Sequence, residues 1–291
     1  MKRRWSNRSV VEGDPVSRID CLLLRTNVST GFAKALNDLK RGYSLHNVWI
    51  YQAYHEISAK YKHTVLGSFW IAGGMVTTSL ALALVFGVLQ GQNLKTALPF
   101  VMGGILAYGL VGFMFTDAPE IFMGAGGTIK NHAYPFTYFI FEGVTKSFLI
   151  FLHNLIVYFI AVALMGAFVV PNWTLLPGLA IGLATMFFWG TFFAMMASRF
   201  RDLRFMMPYI SQILFFTTPI FWRPDASLKG AKALVINANP IYGLVEIIRS
   251  PLLGQSPPKI CWVLSLAALG TGVIAWAIVF GAFRRRIPFW V

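Results

Sequence analysis

An all-α integral membrane protein is the fold class this sequence predicts, and three observations carry the prediction. Hydrophobic residues make up 56% of the chain and charged residues only 12%, whereas soluble domains hold about 25% charged and about 45–50% apolar residues. The uncharged runs come in lengths near the ~20 residues that a helix needs to cross a hydrocarbon core of ~30 Å. The charges gather between those runs, not inside them. Net charge is +14, and a nucleic-acid binder would carry such basicity on one face or in one domain. Here it sits at helix ends, so no nucleic acid is expected. Cys21 and Cys261 have no C-x-x-C spacing, which points to neither a disulfide framework nor a metal site.

Residues 1–44 are polar and basic, with Gly13 and Pro15 among scattered Ser, Thr and Asn. They read as a cytoplasmic tail, partly disordered, ahead of one membrane domain over 45–291. The apolar stretch 21–24 is far too short for the core of a secretory signal, so insertion is expected to start at the first internal helix. From 45 to 63 the pattern changes. Trp49, Ala53, Ile57 and Tyr61 recur at helical spacing with Ile50 and Tyr54 beside them, while Gln52, His55, Glu56, Lys60 and His63 fall opposite. That is an amphipathic helix of the kind that lies in the headgroup plane; no soluble domain follows for it to pack on.

Six spans are expected: 65–90, 97–116, 147–170, 174–197, 205–222 and 260–283, each near the required length. The fifth opens on a charged knot (Arg199, Arg201, Asp202, Arg204) and carries Pro208 and Pro219, each of which removes a backbone donor. A kinked or partly unwound helix suits a protein-lined cavity better than lipid. No internal repeat is evident, so an inverted-repeat transporter gains no support. Alternate loops carry eighteen Lys and Arg against six on the other side, with Lys146 left out at a helix end. The bias puts both termini in the cytoplasm.

Two loops stand out. Residues 124–136, GAGGTIKNHAYPF, form a short cytoplasmic connection in which Tyr134–Pro135 should stop a helix. Residues 223–259 make the longest external excursion, and within it 231–238 and 241–253 are too short to span yet too apolar for plain loop. Segments of about 10–14 apolar residues are often re-entrant or interfacial.

Four stretches carry a family resemblance. Arg199-Phe200-Arg201-Asp202 followed by a proline-containing run ending T-P-I-F-W (218–222) resembles the fifth transmembrane helix of bacterial ABC-type polysaccharide export permeases. The entry YKHTVLGSFW (61–70), the stretch N-A-N-P-I-Y-G-L-V-E-I-I-R (237–249) and the basic tail ending IPFWV are similar to theirs as well. The resemblance spans roughly 45–291. It implies the membrane subunit of an exporter of O-antigens, capsules or teichoic acids, O-antigen foremost, working in lipopolysaccharide biosynthesis at the bacterial inner membrane. It further implies a homodimer with a channel between protomers, a lipid-linked polysaccharide as substrate, and two copies of a separate ATPase that binds ATP and Mg. On that carry-over Trp49, Tyr54, Lys60, Tyr61 and Lys62 belong to the channel entry. Lys130, Asn131, His132, Tyr134 and Pro135 couple to the ATPase, with Arg199, Arg201, Asp202 and Arg204 nearby. Residues 239–249 form outer re-entrant helices. The chain departs from the pattern in its long tail, and in having Tyr134-Pro135 where relatives often have Phe-Pro followed by a basic residue.

The chemistry in the sequence is sparse. No G-x-x-x-x-G-K-[ST] occurs, and Thr128-Ile129-Lys130 follows Gly124–Gly127 in the wrong order for a phosphate loop, so the chain is not expected to hydrolyse ATP or hold a cofactor itself. His46, His55 and His63 are not spaced as an i, i+4 ligand pair, and neither HExxH nor GxSxG is present. Asp117 and Glu120, three apart around Pro119, are either an acid pair or solvated helix-end charges. Glu142 and Lys146 stand in the favourable i, i+4 order, as a structural pair or a gating contact. His153 and Asn154 lie deeper, where lone polar residues hydrogen-bond between helices. Trp70, Trp173, Trp222 and Trp262 suit an interfacial belt. The aromatics Phe69, Trp70, Phe113, Phe115, Tyr209, Phe215, Phe216, Phe221 and Trp222 either face lipid or stack on a passing sugar chain; of these, Phe69, Trp70, Tyr209, Phe215, Phe216, Phe221 and Trp222 are the channel candidates. Two other readings stay open: a membrane-embedded glycosyl- or acyltransferase, and a drug or small-lipid exporter of the same transporter class.

Overall fold

The computed structural model describes residues 31–62, 69–223 and 239–291, and among these there are helices and turns but no strands. Residues 31–44 are helical (α1). There follow α2 His46–Tyr61, α3 Phe69–Leu89, α4 Leu94–Val111, α5 Phe113–Thr116, a 3₁₀ turn Ala118–Glu120, α6 Ile121–Gly124, α7 Gly126–Asn131, α8 Phe136–Leu164, α9 Leu175–Arg199, α10 Leu203–Thr217, α11 Pro240–Leu252, α12 Lys259–Phe283 and α13 Ile287–Trp290. Among the described residues five helices are long and apolar enough to cross a membrane, namely α3, α4, α8, α9 and α12. The chain is thus an all-helical protein of membrane type.

Packing ranks these helices. α4 is the central one, with 72% of its span buried against 17% for α8. It is surrounded by α3, α8 and α11, and α11 wedges between α4, α9 and α12. α9 and α12 run side by side in the same direction. The N-terminal ends meet where Asn172 Nδ2 donates to Ser256 Oγ at 3.1 Å, and Trp189 Nε1 donates to the Ala268 carbonyl at 2.9 Å midway. At the far end the Arg199 guanidinium lies 5.9 Å from the Trp290 ring. Gly272 seats the Trp189 indole, for a Cβ there would stand 2.7 Å from it.

Several expected boundaries shift, each for a physical reason. The second span ends at Val111, followed by the short α5, instead of running to Thr116. The third starts at Phe136, eleven residues before the expected 147, so Glu142 and Lys146 lie inside it. α2 packs on α8 there and compensates the lysine: Lys146 Nζ pairs with Glu56 at 3.0 Å, not with Glu142. The fifth helix stops at Thr217, giving 15 residues. Pro219 ends it instead of kinking it, since Thr218 is driven to the extended region (ψ 135°) before the proline. The glycine-rich loop 124–136 is largely helical, as α7 and the start of α8.

The tail departs most from expectation. Residues 31–44 are helical and docked: Asp38 carboxylate oxygens accept from the backbone N–H groups of Thr137 (3.0 Å) and Phe136 (3.4 Å), and from the Thr137 hydroxyl (2.9 Å). Arg284 closes the junction, bonding the Lys34 carbonyl and standing 3.9 Å from Asp38. The expected segment 231–238, His63 and Cys21 lie outside the described residues. Cys261 is buried and free.

Candidate functional site

Three clusters collect the residues that sequence singles out. The first covers the end of the bundle where α8 begins and α9 and α12 finish. α7 delivers Lys130 and Asn131 to it, and His132, extended at φ −133° and ψ 141°, leads the chain to Pro135 at the start of α8. Lys130, Asn131, His132 and Tyr134 are exposed, whereas Pro135 is buried. Tyr134 stacks on Tyr138 at 5.0 Å, with His132 on its other side at 6.1 Å. Arg199, Arg201 and Asp202 are exposed beside this loop's supports, because α13 packs on both α7 and α9. Arg204 is different: it turns inward, 3.7 Å from Glu120 and 4.4 Å from the Phe205 ring centroid. So the structure brings the loop, the α9 terminus and the C-terminal helix onto one basic face.

Behind that face, Asp117 and Glu120 do not form an acid pair. Glu120 is taken by Arg204. Asp117 stands at an exposed position, yet the protein around its carboxyl partly desolvates it and raises its pKa above the ordinary value, with Lys146 and Lys60 pulling it back. Among the described residues no three His, Cys, Asp or Glu converge as metal ligands. Helix α2, expected at a channel entry, stacks Trp49 on Phe141 at 5.4 Å, and leaves Tyr54, Lys60 and Lys62 exposed; the Tyr61 side chain lies outside the description.

The second cluster is the aromatic set. Phe69, Trp70, Tyr209 and Phe216 are exposed. Phe215 is half-buried, edge-on to Tyr108 at 5.2 Å, and Trp222 is half-buried too. Phe221 faces the protein interior, 4.4 Å from Phe86. It therefore cannot line a surface channel in this conformation. α10 itself leans on α4, where the Tyr108 hydroxyl bonds Ser211. His153 and Asn154 do not hydrogen-bond to another helix as expected: the His153 Nε2 and the Asn154 Oδ1 are buried with no hydrogen-bond partner among the described residues, although the His153 ring meets Phe69 of α3 edge-on at 6.2 Å.

The third cluster was not singled out residue by residue. Arg249 is 1% exposed and pairs with Glu246 one turn back. Its guanidinium donates to the Pro219 carbonyl at 2.7 Å and lies 4.0 Å from the Phe100 ring centroid. Gly104 makes room, since a Cβ there would approach the Ile220 carbonyl oxygen to 2.9 Å. Asn239 caps α11 by accepting from Ile241 N–H at 3.0 Å, and donates to the Thr218 hydroxyl at 3.0 Å. The E-x-x-R spacing is the signal that points to the Glu246–Arg249 pair.

No family model matches the chain, and no curated protein matches it.

Proposed function

We propose that this chain is the transmembrane permease subunit of an ATP-driven exporter that moves a lipid-linked polysaccharide, O-antigen-like, across the bacterial cytoplasmic membrane. The observation that carries the reading is the basic end face, where the exposed loop Lys130–Tyr134, the α9 terminus and α13 adjoin. The sequence has no phosphate-cradling loop, so ATP energy must enter through a docked partner, and this face is built to receive one. The glycan as substrate rests on the resemblance in residues 61–70, 199–222, 237–249 and 287–291.

Six crossings and cytoplasmic termini complete the reading. α9 and α12 are parallel, so the chain must return between Arg199 and Lys259, and α10 with α11 is the connection available. A re-entrant α11 is supported by its neighbours. Arg223 N–H donates to Gln90 at the end of α3 (3.1 Å), Asn239 is back beside Thr218, and the Pro251 carbonyl accepts from Asn172 N–H (2.9 Å) at the start of α9. For a homodimer, α10 offers a face on which Tyr209 and Gln212 stand among Phe205, Ile213 and Phe216. Lipid would leave such polar groups unsatisfied, whereas a second copy or a hydrated channel would not.

The test is reconstitution with the ATPase that co-isolates with the chain. His132→Ala with Tyr134→Ala should lower surface glycan and transporter-stimulated ATP hydrolysis together, with insertion intact. Normal export by that double variant would remove the loop from the mechanism, and absence of any co-isolating ATPase would favour the enzyme reading.

A further inference from the structure

We propose that the cavity between α9, α11 and α12 is a binding groove for one acyl chain of a bilayer phospholipid. Its volume is about 470 Å³, and Leu214 of α10 closes one side. Four polar side chains reach its wall, and each already has a partner within the protein. Thr185 donates to the Ile181 carbonyl at 2.7 Å, Thr271 to Ala267 at 2.8 Å, and the Trp189 indole N–H to Ala268 at 2.9 Å. Asn239 is engaged with Thr218 and with Ile241 N–H. The wall therefore selects hydrocarbon: a sugar hydroxyl or a headgroup would be desolvated there without compensation, and water does not fill an apolar cavity that offers it no partners.

Depth and size name the hydrocarbon. At ~1.5 Å per residue, Thr185 and Thr271 stand about 15 and about 18 Å along α9 and α12. Both positions fall midway in a core of ~30 Å. At about 30 Å³ for a group the size of a water molecule, the space takes roughly 15 methylenes. That matches the length of one acyl chain. Among the described residues the groove also lies where the bundle is open, because α10 rests on α5, the Ala118–Glu120 turn and α9 and has no substantial packing on α12. An acyl chain fills that gap and holds α10 to the α9–α12 body.

The full chain in proteoliposomes containing a phosphatidylethanolamine with a mid-chain diazirine tests this. Light should place label on the peptides bearing Trp189 and Ala267–Thr271 about tenfold above the peptide bearing the exposed Ile156, as a preference of ~1.4 kcal/mol gives. Filling the groove with Ala267→Phe and Thr271→Phe should erase that excess and leave the Ile156 label unchanged. Even labelling of the parent protein overturns the proposal, whether or not the double variant folds. Disulfide capture of two Ala267→Cys copies would overturn it in another way, by showing that a second copy covers the groove.

Discussion

Arg249 is the largest side chain taken fully out of solvent, and what it holds explains why it is there. Thr218 and Pro219 leave the helix, so the carbonyls of Pro219 and Ile220 need donors at a depth where water supplies none. Arg249 furnishes them, and Glu246 balances its charge. Arg249→Met should cost ~3–5 kcal/mol, because the largely buried Glu246 carboxylate then keeps the Ser250 hydroxyl but no opposite charge. Adding Glu246→Leu should restore part of the loss, and thermal unfolding in detergent measures both. Equal destabilisation in single and double variants would mean that the Pro219 carbonyl, and not the ion pair, dominates. Asp117 gives a pH signature. Partial desolvation by its surroundings raises its folded pKa, so ionisation costs some stability as pH rises through the ordinary carboxylate range toward the raised value, and the loss is constant beyond that. In acid the group is protonated folded and unfolded, and no loss exists. Asp117→Asn should therefore raise the unfolding midpoint at neutral pH and leave it unchanged in acid. No gain at neutral pH would show that Lys146 and Lys60 outweigh the desolvation.

At the level of elements, Asp38 ties α1 to two other parts of the chain with one carboxylate. It caps the start of α8 from outside that helix and approaches Arg284. Removing such a cap costs ~1 kcal/mol, so Asp38→Ala should speed amide exchange at Phe136 and Thr137, while Asp38→Asn keeps most of the protection. Unchanged exchange in the alanine variant would leave Pro135 as sufficient start of the helix. That docked helix was illegible in the sequence for a physical reason: within 31–44 Ala35 and Gly42 are the buried positions, too small to write an apolar stripe. The spans α3, α9 and α12 were legible to within a few residues, since lipid demands uninterrupted apolar length. The start of α8 was not, because Glu142 and Lys146 look like surface charges until α2 is folded across them. The same holds for the site. Exposure of the 130–134 loop followed from its composition, but whether Phe221 or Phe216 faces outward depends on where Pro219 turns the chain.

The whole molecule turns on parity. The five apolar helices α3, α4, α8, α9 and α12 would leave the two ends of the chain on opposite sides if nothing else crossed. Yet α1 lies against the end of α12, with Arg284 bonded to the Lys34 carbonyl and a Cβ on Gly31 reaching within 2.8 Å of the Gly281 oxygen. An even number of passages reconciles these, and the proposed sixth is the 15-residue α10 with the segment after it. At ~1.5 Å per residue α10 covers about 22 Å, short of the ~30 Å core, so the non-helical, bent stretch Thr218–Arg223 must supply the remainder. The basic bias of eighteen to six then orients the set. Single cysteines in a background lacking Cys21 and Cys261 read this directly. Cysteine at Gln92 or Gln255 should react with an impermeant maleimide on intact cells, and cysteine at Arg201 or Arg285 only after permeabilisation. Outside labelling at Arg285 with Arg201 protected would mean an odd number of crossings and would sink the α10 passage. Outside labelling at both would invert the protein and remove the basic face from any cytoplasmic ATPase.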